Sequence, residues 1–379
     1  MVSFLAVSER YRSGFIQGHD SSHYVSLADA AQREGHSFSV AALGAMVDAQ
    51  DPLVSVHLPS PGWETIAPVL GRELVSRPAS VIVIYEGSLD ALRALVPIAR
   101  SAPEHVFVVN LFRPERPLNV PVQRRMHPWR RYRIKQGVPL EASLRTLPPN
   151  IRVVADTERR AFLARAYGLP VLGVWPLHST LATYPAQSGD EFGAGHVLVA
   201  ISDWQMRGDP DTVQHIESVL RSARRALPNL RFERLGSSLQ PANRPKEAHR
   251  LLRRLPDSGS GKDGLPLAEY ARRIRSSAVV WLPKLGLYTT QSSGKALDVL
   301  VSGRPLIAPS GTFGDIEQRR WVPGSPSYRS EGELLEVLGH LALHAEHWAT
   351  MLARSRSEII EHYSPGRTIR ELAHLAGAP

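Results

Sequence analysis

PKLGLYTTQSSGKALDVLVSGRPLIAPSG, Pro283–Gly311, is the stretch on which the fold turns. It follows AVVWLP (278–283), an apolar run too short for a helix and of the kind found in strands buried on both faces. After Pro283 come a polar Gly/Ser/Thr loop, a helix predicted over Gly294–Ser302, and a second apolar run, PLIAP at 305–309. Strand, loop, helix and strand make the repeating unit of a parallel α/β sheet. The junction Ser292-Ser293-Gly294-Lys295 combines two hydroxyls, a glycine that permits close approach and a cation at the positive end of a helix dipole. That combination suits phosphate, although serine capping followed by glycine is the plainer reading of the same residues. Asp298, on the same helix, is either within reach of a ribose or a solvated helix residue.

Outward from this unit the pattern repeats. Apolar runs stand at 3–7, 37–43, 81–85, 106–112 and 151–155, then at 196–201 and 230–236. Helical spacing lies between them, at Val25–Glu34, Leu89–Arg100, Glu158–Tyr167, Thr212–Leu227 and Leu267–Ser276. The first set of strands ends near Trp175, and PLHSTLATYPAQSGDEFGAG (176–195) has linker composition. The predicted organisation is a Rossmann-like domain at 1–185, a second at 186–355 and a helical tail at 356–379 that packs back on the first. Such paired domains leave a cleft at the carboxyl ends of their strands, the expected site.

The 379 residues suit two cores, because single cores stop growing near ~250–300 residues. A hydrophobic fraction of 43% with 21% charged residues excludes disorder as the main state. The absence of cysteine excludes disulfides, iron–sulfur clusters, thiolate zinc sites and a cysteine nucleophile. No apolar run approaches the ~20 residues of a membrane span, and MVSFLAVSERYRSG lacks the form of a secretion signal. A cytoplasmic location is expected. The net charge is +9, and six of the basic residues fall in RRMHPWRRYRIK, 124–135, without which it drops to +3. Arg124, Arg125, Arg130, Arg131, Arg133 and Lys135 flank Trp129 there. That grouping suits an anionic membrane surface or a phosphate-bearing acceptor, with a solvated loop as the plain alternative.

Near the amino terminus, GHDSSHYVSLADAAQREGHSFSV (Gly18–Val40) reads as strand, turn, helix, strand, with Gly35 ending the helix. Gly18, His19 and Asp20 are expected at the cleft floor, where the histidine or the carboxylate could act as base; His23 is expected to be packed. Asp209-Pro210-Asp211 has the D-x-D form of a metal-binding triplet, but proline followed by acid at a helix start reads better as an N-terminus. No His-x3-His or other metal-ligand spacing stands out, and no metal is expected. SGSGKDG (258–264) lacks Walker spacing and reads as a surface loop.

Taken in order, these segments resemble GT-B-fold glycosyltransferases, in particular the retaining group of bacterial mannosyl- and glucosyltransferases. Gly18 takes the place of the first glycine of the group's amino-terminal motif, His19 replaces the second, and His23, Leu27, Ala28, Gly35 and His36 fall in register. VVADTERRAFLARAYGLPVLGVWP (153–176) is similar to the unit that closes the first domain. HVLVAISDWQMRGDP is similar to the opening of the second, with Arg207-Gly208 in the basic position. The group's Glu-x7-Glu pair falls on Thr290 and Asp298, so the first acid is replaced and the second shortened. The second basic position is Ile201, which leaves Lys284 or Lys295 to compensate.

The resemblance implies transfer of a sugar from a nucleotide-sugar to a glycan, lipid-linked or other hydroxyl acceptor, with neither metal nor cofactor. Arg207, Lys284, Ser292, Ser293, Gly294 and Lys295 would hold the donor diphosphate, and Asp298 the ribose. His19 or Asp20 would act as base if the reaction inverts and would orient the sugar if it retains. The basic segment would serve the acceptor or contact the inner face of the membrane from the cytoplasm. A protein that uses the fold without catalysis to bind an anionic surface or nucleic acid is the alternative, nucleic acid being the less favoured partner. An epimerase on the same fold would need more acids than the sequence offers at the strand ends.

Overall fold

A computed structural model describes residues 1–11, 13, 19–111, 142–184, 193–200, 210–235, 266–283 and 292–377. These residues divide into two compact units, one built from the chain up to Leu177 together with Pro365 onward, the other from His178–Ser364.

The strands of unit 1 are β1 (Ser3–Ser8), β2 (Ser37–Leu43), β3 (Val54–Leu58), β4 (Val81–Gly87), β5 (Val106–Leu111), β6 (Ile151–Ala155) and β7 (Val171–Val174). They form one parallel sheet in the order β3-β2-β1-β4-β5-β6-β7. Successive residues of the central strands enter opposite cores. Leu5, Ile82, Phe107 and Val153 pack against α2 (Trp63–Ser76) and α3 (Leu89–Ser101). Phe4, Val83, Val108 and Val154 pack against α1 (His19–Arg33). Burial on both faces is why these strands are continuously apolar. Shorter helices follow at α4 (Ala142–Arg145) and α5 (Glu158–Ala166).

β3 and α2 are among the elements of this unit that were not expected. β3 is an edge strand whose residues alternate between exposed and buried, so it has no apolar run to recognise. In α2, Pro68 interrupts a helical stripe formed by Trp63, Ile66, Leu70 and Leu74. The helix α1 also begins earlier than predicted, at His19. It ends at Gly35, whose φ of 74° lets the His36 N–H reach the Ala31 carbonyl at 2.8 Å. Gly87 is required for another reason: a Cβ there would lie 2.6 Å from the Asn110 carbonyl oxygen.

Among the described residues, unit 2 has a four-stranded parallel sheet. It comprises β8 (Gly193–Val199), β9 (Arg231–Arg234), β10 (Ser277–Trp281) and β11 (Leu306–Ile307), in the order β11-β10-β8-β9. Its helices are α6 (Pro210–Ala226), α7 (Leu267–Ser276), α8 (Gly294–Val301), α9 (Phe313–Trp321), α10 (Glu331–Leu343), α11 (Ala345–Arg354) and α12 (Arg356–His362). Val197, Val199, Val279 and Trp281 meet Ile216 and Leu220 of α6 and Leu334 and Leu338 of α10 in the core. α6 opens at Pro210, where a first-turn proline costs no hydrogen bond. The last helix, α13 (Pro365–Leu375), belongs to unit 1. There Ile369 and Leu372 join the α1 side of the core, and Arg370 pairs with Glu34 at 2.6 Å. No described helix is long and apolar enough to cross a membrane.

Candidate functional site

In unit 2 the relevant geometry starts from β10. Its five residues are all buried, and its carboxyl end leads toward α8. Ser293 is the N-cap of α8, in extended conformation, with its hydroxyl accepting from the Ala296 N–H at 3.4 Å. Ser292 and Ser293 are buried, while Gly294 and Lys295 are half-buried in the first turn. The expected capping by Ser293 is thus seen. The cap shapes a helix opening whose amides point along the axis, as an anion would require.

Asp298 is fully buried. The Ser179 hydroxyl donates to its Oδ1 at 2.6 Å and the Tyr270 hydroxyl to its Oδ2 at 2.9 Å. Burial, reinforced by the Asp298 charge, pushes the Tyr270 hydroxyl well above the usual tyrosine range. Both oxygens thus hold other elements of unit 2 onto α8. Asp298 is therefore not the solvated residue of the plain reading, and both of its oxygens accept from protein hydroxyls.

In unit 1, His19 and Asp20 form the first turn of α1 rather than a loop after β1. His23 is packed as expected, with its ring centroid 4.3 Å from that of Tyr85. Sequence reasoning missed a polar group at the carboxyl ends of the strands. Asn110 of β5 is fully buried, and neither atom of its side-chain amide has a hydrogen-bond partner among the described residues. It pairs in register with Val154 and shares a strand face with Val108, on the side covered by α1. Trp175, just beyond β7, is also buried, lies edge-on to Tyr85 at 5.4 Å, and has an indole N–H without a described partner. An asparagine inside an apolar strand was the signal. Nearby, Asp156 and Arg160 form a fully buried ion pair at 3.2 Å.

Gly18, Arg207, Lys284 and the segment holding Arg124, Arg125, Trp129, Arg130, Arg131, Arg133 and Lys135 lie outside the described residues.

The architecture has counterparts among solved structures. Trehalose-6-phosphate synthase OtsA matches with a TM-score of 0.62 at 10% identity, over 99% of each chain. Spinosyn forosaminyltransferase SpnP matches at 0.52 and 15%, again over 99% of each. UDP-GlcNAc 2-epimerase from Neisseria meningitidis, bound to UDP-GlcNAc, matches at 0.55 and 10%, over 98% of this chain and 99% of that one. The fold is GT-B. The chain matches no protein-family model and no curated protein. Transferases and an epimerase share the GT-B fold, so the reaction has to be argued from the residues.

Proposed function

We propose that this GT-B protein transfers a sugar from a nucleotide-sugar donor to a hydroxyl acceptor. The observation that carries the reading is the opening of α8, where Ser292, Ser293, Gly294 and Lys295 stand together behind the buried strand β10. Departure of a nucleoside diphosphate leaves negative charge on its terminal phosphate. A helix N-terminus and basic side chains stabilise that charge where it develops. Lys295 and the hydroxyls of Ser292 and Ser293 take this role, joined by Arg207 and Lys284, and no metal is needed for it. Asp298 acts indirectly, by holding α8 in place through Ser179 and Tyr270.

His19 or Asp20 deprotonates the acceptor hydroxyl if the reaction inverts. Asn110, a buried amide whose donors and acceptor have no partner among the described residues, is suited to hydrogen-bonding a sugar hydroxyl. The acceptor is a glycan or a lipid-linked sugar, met from the cytoplasmic side with help from the basic segment. Epimerisation is the second reading, favoured by the likeness to the Neisseria enzyme. The two buried carboxylates described above, Asp156 and Asp298, are both engaged by neighbours, which leaves them poorly placed to take a proton from a sugar carbon.

The test is incubation with UDP-, GDP-, dTDP- and ADP-sugars, with and without a mixture of glycan acceptors. Released nucleotide and sugar products are followed by mass spectrometry and NMR. A glycosylated acceptor is expected. An epimerised nucleotide-sugar would favour the second reading. Failure of every nucleoside diphosphate to raise the unfolding temperature would remove both, since ligand at a hundred times its Kd stabilises by ~2.7 kcal/mol.

A further inference from the structure

The carboxyl-terminal turn of α10 takes no part in the glycosyl-transfer reading, yet it carries two metal-ligating side chains at chelating spacing. A helix places residues i and i+4 on one face, one turn apart, and His340 and His344 stand at that separation. Helical hydrogen bonding continues across both residues. His344 is the C-cap of α10, and its N–H donates to the His340 carbonyl at 3.0 Å. The rings consequently lie side by side, with centroids 4.7 Å apart and planes inclined at 50°. Both side chains are exposed, so the imidazoles can be reached without any opening of the fold.

We infer that His340 and His344 form a surface site for one divalent d-block cation of the Zn2+ or Ni2+ type, each imidazole giving one nitrogen. Zinc–nitrogen bonds run to about 2.0–2.1 Å, so one ion bridges nitrogens up to about 4 Å apart. Rings at the observed spacing reach that arrangement by side-chain rotation alone. Ligand type selects the ion: imidazole suits zinc, nickel and copper, whereas magnesium and calcium take oxygen ligands. Glu336 is exposed and stands one turn before His340 on the same helix.

Among the described residues, no three His, Asp or Glu side chains surround a common point. The remaining coordination positions are therefore filled by water or by a group on another molecule. This is an open site, weaker than a closed structural zinc site with four protein ligands. It does not rest on the glycosyl-transfer reading. His340-x3-His344 is present in the sequence, contrary to the expectation that no His-x3-His spacing stands out. Because the two imidazoles meet only in the helical chain, metal binding is linked to folding.

The test is calorimetric titration of the full chain, carrying no histidine tag, with Zn2+ alone at pH 7.5. Wild type is compared with His340→Gln, His344→Gln and His347→Gln. The wild type is expected to bind one ion through this pair. The first two variants should bind it at least ten-fold more weakly, and His347→Gln, whose ring lies edge-on to Trp348 instead, should match wild type. Thermal unfolding with and without Zn2+ gives an independent readout: the zinc-induced rise should vanish in His340→Gln and His344→Gln. Absence of saturable binding by wild type would overturn the site. So would wild-type affinity in both of those variants, which would place any bound zinc on other residues.

Discussion

Ser179 Oγ donates a hydrogen bond to Asp298 Oδ1 at 2.6 Å across 119 positions of chain, and both residues are fully buried. Ser179 also caps the short 3-10 turn Thr180–Thr183 by accepting from the Leu181 N–H at 3.1 Å. Its own N–H donates to the Tyr363 carbonyl at 2.9 Å. The serine and the aspartate therefore register three segments of unit 2 against the helix that opens at the phosphate-suited junction. Ser179→Ala should destabilise by about 1–3 kcal/mol, the cost of leaving a buried acceptor short of a partner. Asp298→Ala should cost more, since it strands both hydroxyls. Chemical denaturation of the two single variants and the double variant measures this, and additive losses would show that the pair is not coupled.

Lys295→Ala and Arg207→Ala are each expected to weaken nucleoside diphosphate binding by roughly ten- to a hundred-fold, the worth of one charge-assisted contact to phosphate. Neither should lower the unfolding temperature by more than a surface substitution does. Calorimetry with UDP and GDP checks this, and unchanged affinity in both variants would remove the donor site from the start of α8.

Asn110→Leu separates stability from function. If the amide is kept for a ligand, the apolar replacement removes a buried unsatisfied group and should stabilise unit 1 by about 1–3 kcal/mol while transfer activity falls. Loss of both stability and activity would mean that the amide has a structural duty.

Acid should loosen unit 2 in two steps. His215 lies 5.9 Å from Tyr328 in a stacked pair and edge-on to Trp281, and burial holds its pKa below the ordinary 6.5, although Glu331 pulls the other way. The unfolded chain then binds more protons than the folded one, so stability falls as pH drops below about 6.5 and levels off beneath the folded value. Glu331 accepts from Ser218 at 2.6 Å and Ser222 at 2.5 Å. These bonds lower its carboxyl pKa, so its contribution is present above 4.5 and disappears as pH falls through the folded value. His215→Phe, which keeps the ring stack, should flatten the upper step and leave the lower one. Thermal unfolding at pH 7.5, 6, 5 and 4 reads both.

The basic segment is tested directly. Wild type should sediment with vesicles of anionic lipid and not with neutral ones, and replacing Arg124, Arg125, Arg130 and Arg131 by glutamine should abolish this. Each basic residue near an anionic headgroup layer adds ~1 kcal/mol. Equal binding by wild type and the variant would exclude a membrane role for these arginines.

Local sequence alone determined the elements whose environment is the same along their whole length. Central strands such as Phe4–Val7 and Ala278–Trp281 are buried on both faces, so an apolar run announces them without knowledge of any partner. The start of α8 at Ser293-Gly294 and the end of α1 at Gly35 were equally legible, because capping is decided by a few neighbouring residues. Tertiary structure decided the rest. β3 is recognisable only once it is known to lie at the sheet edge, where one face stays exposed. A tail packing on the first domain was expected from 356 onward, but only from Pro365 does the chain join unit 1, where Ile369 and Leu372 find their apolar partners. Asp298 looked like a ligand group because its helix opens beside a phosphate-suited loop. Ser179 and Tyr270, brought to it from distant segments, turned it inward, since a buried carboxylate is stable only where hydrogen-bond donors meet it.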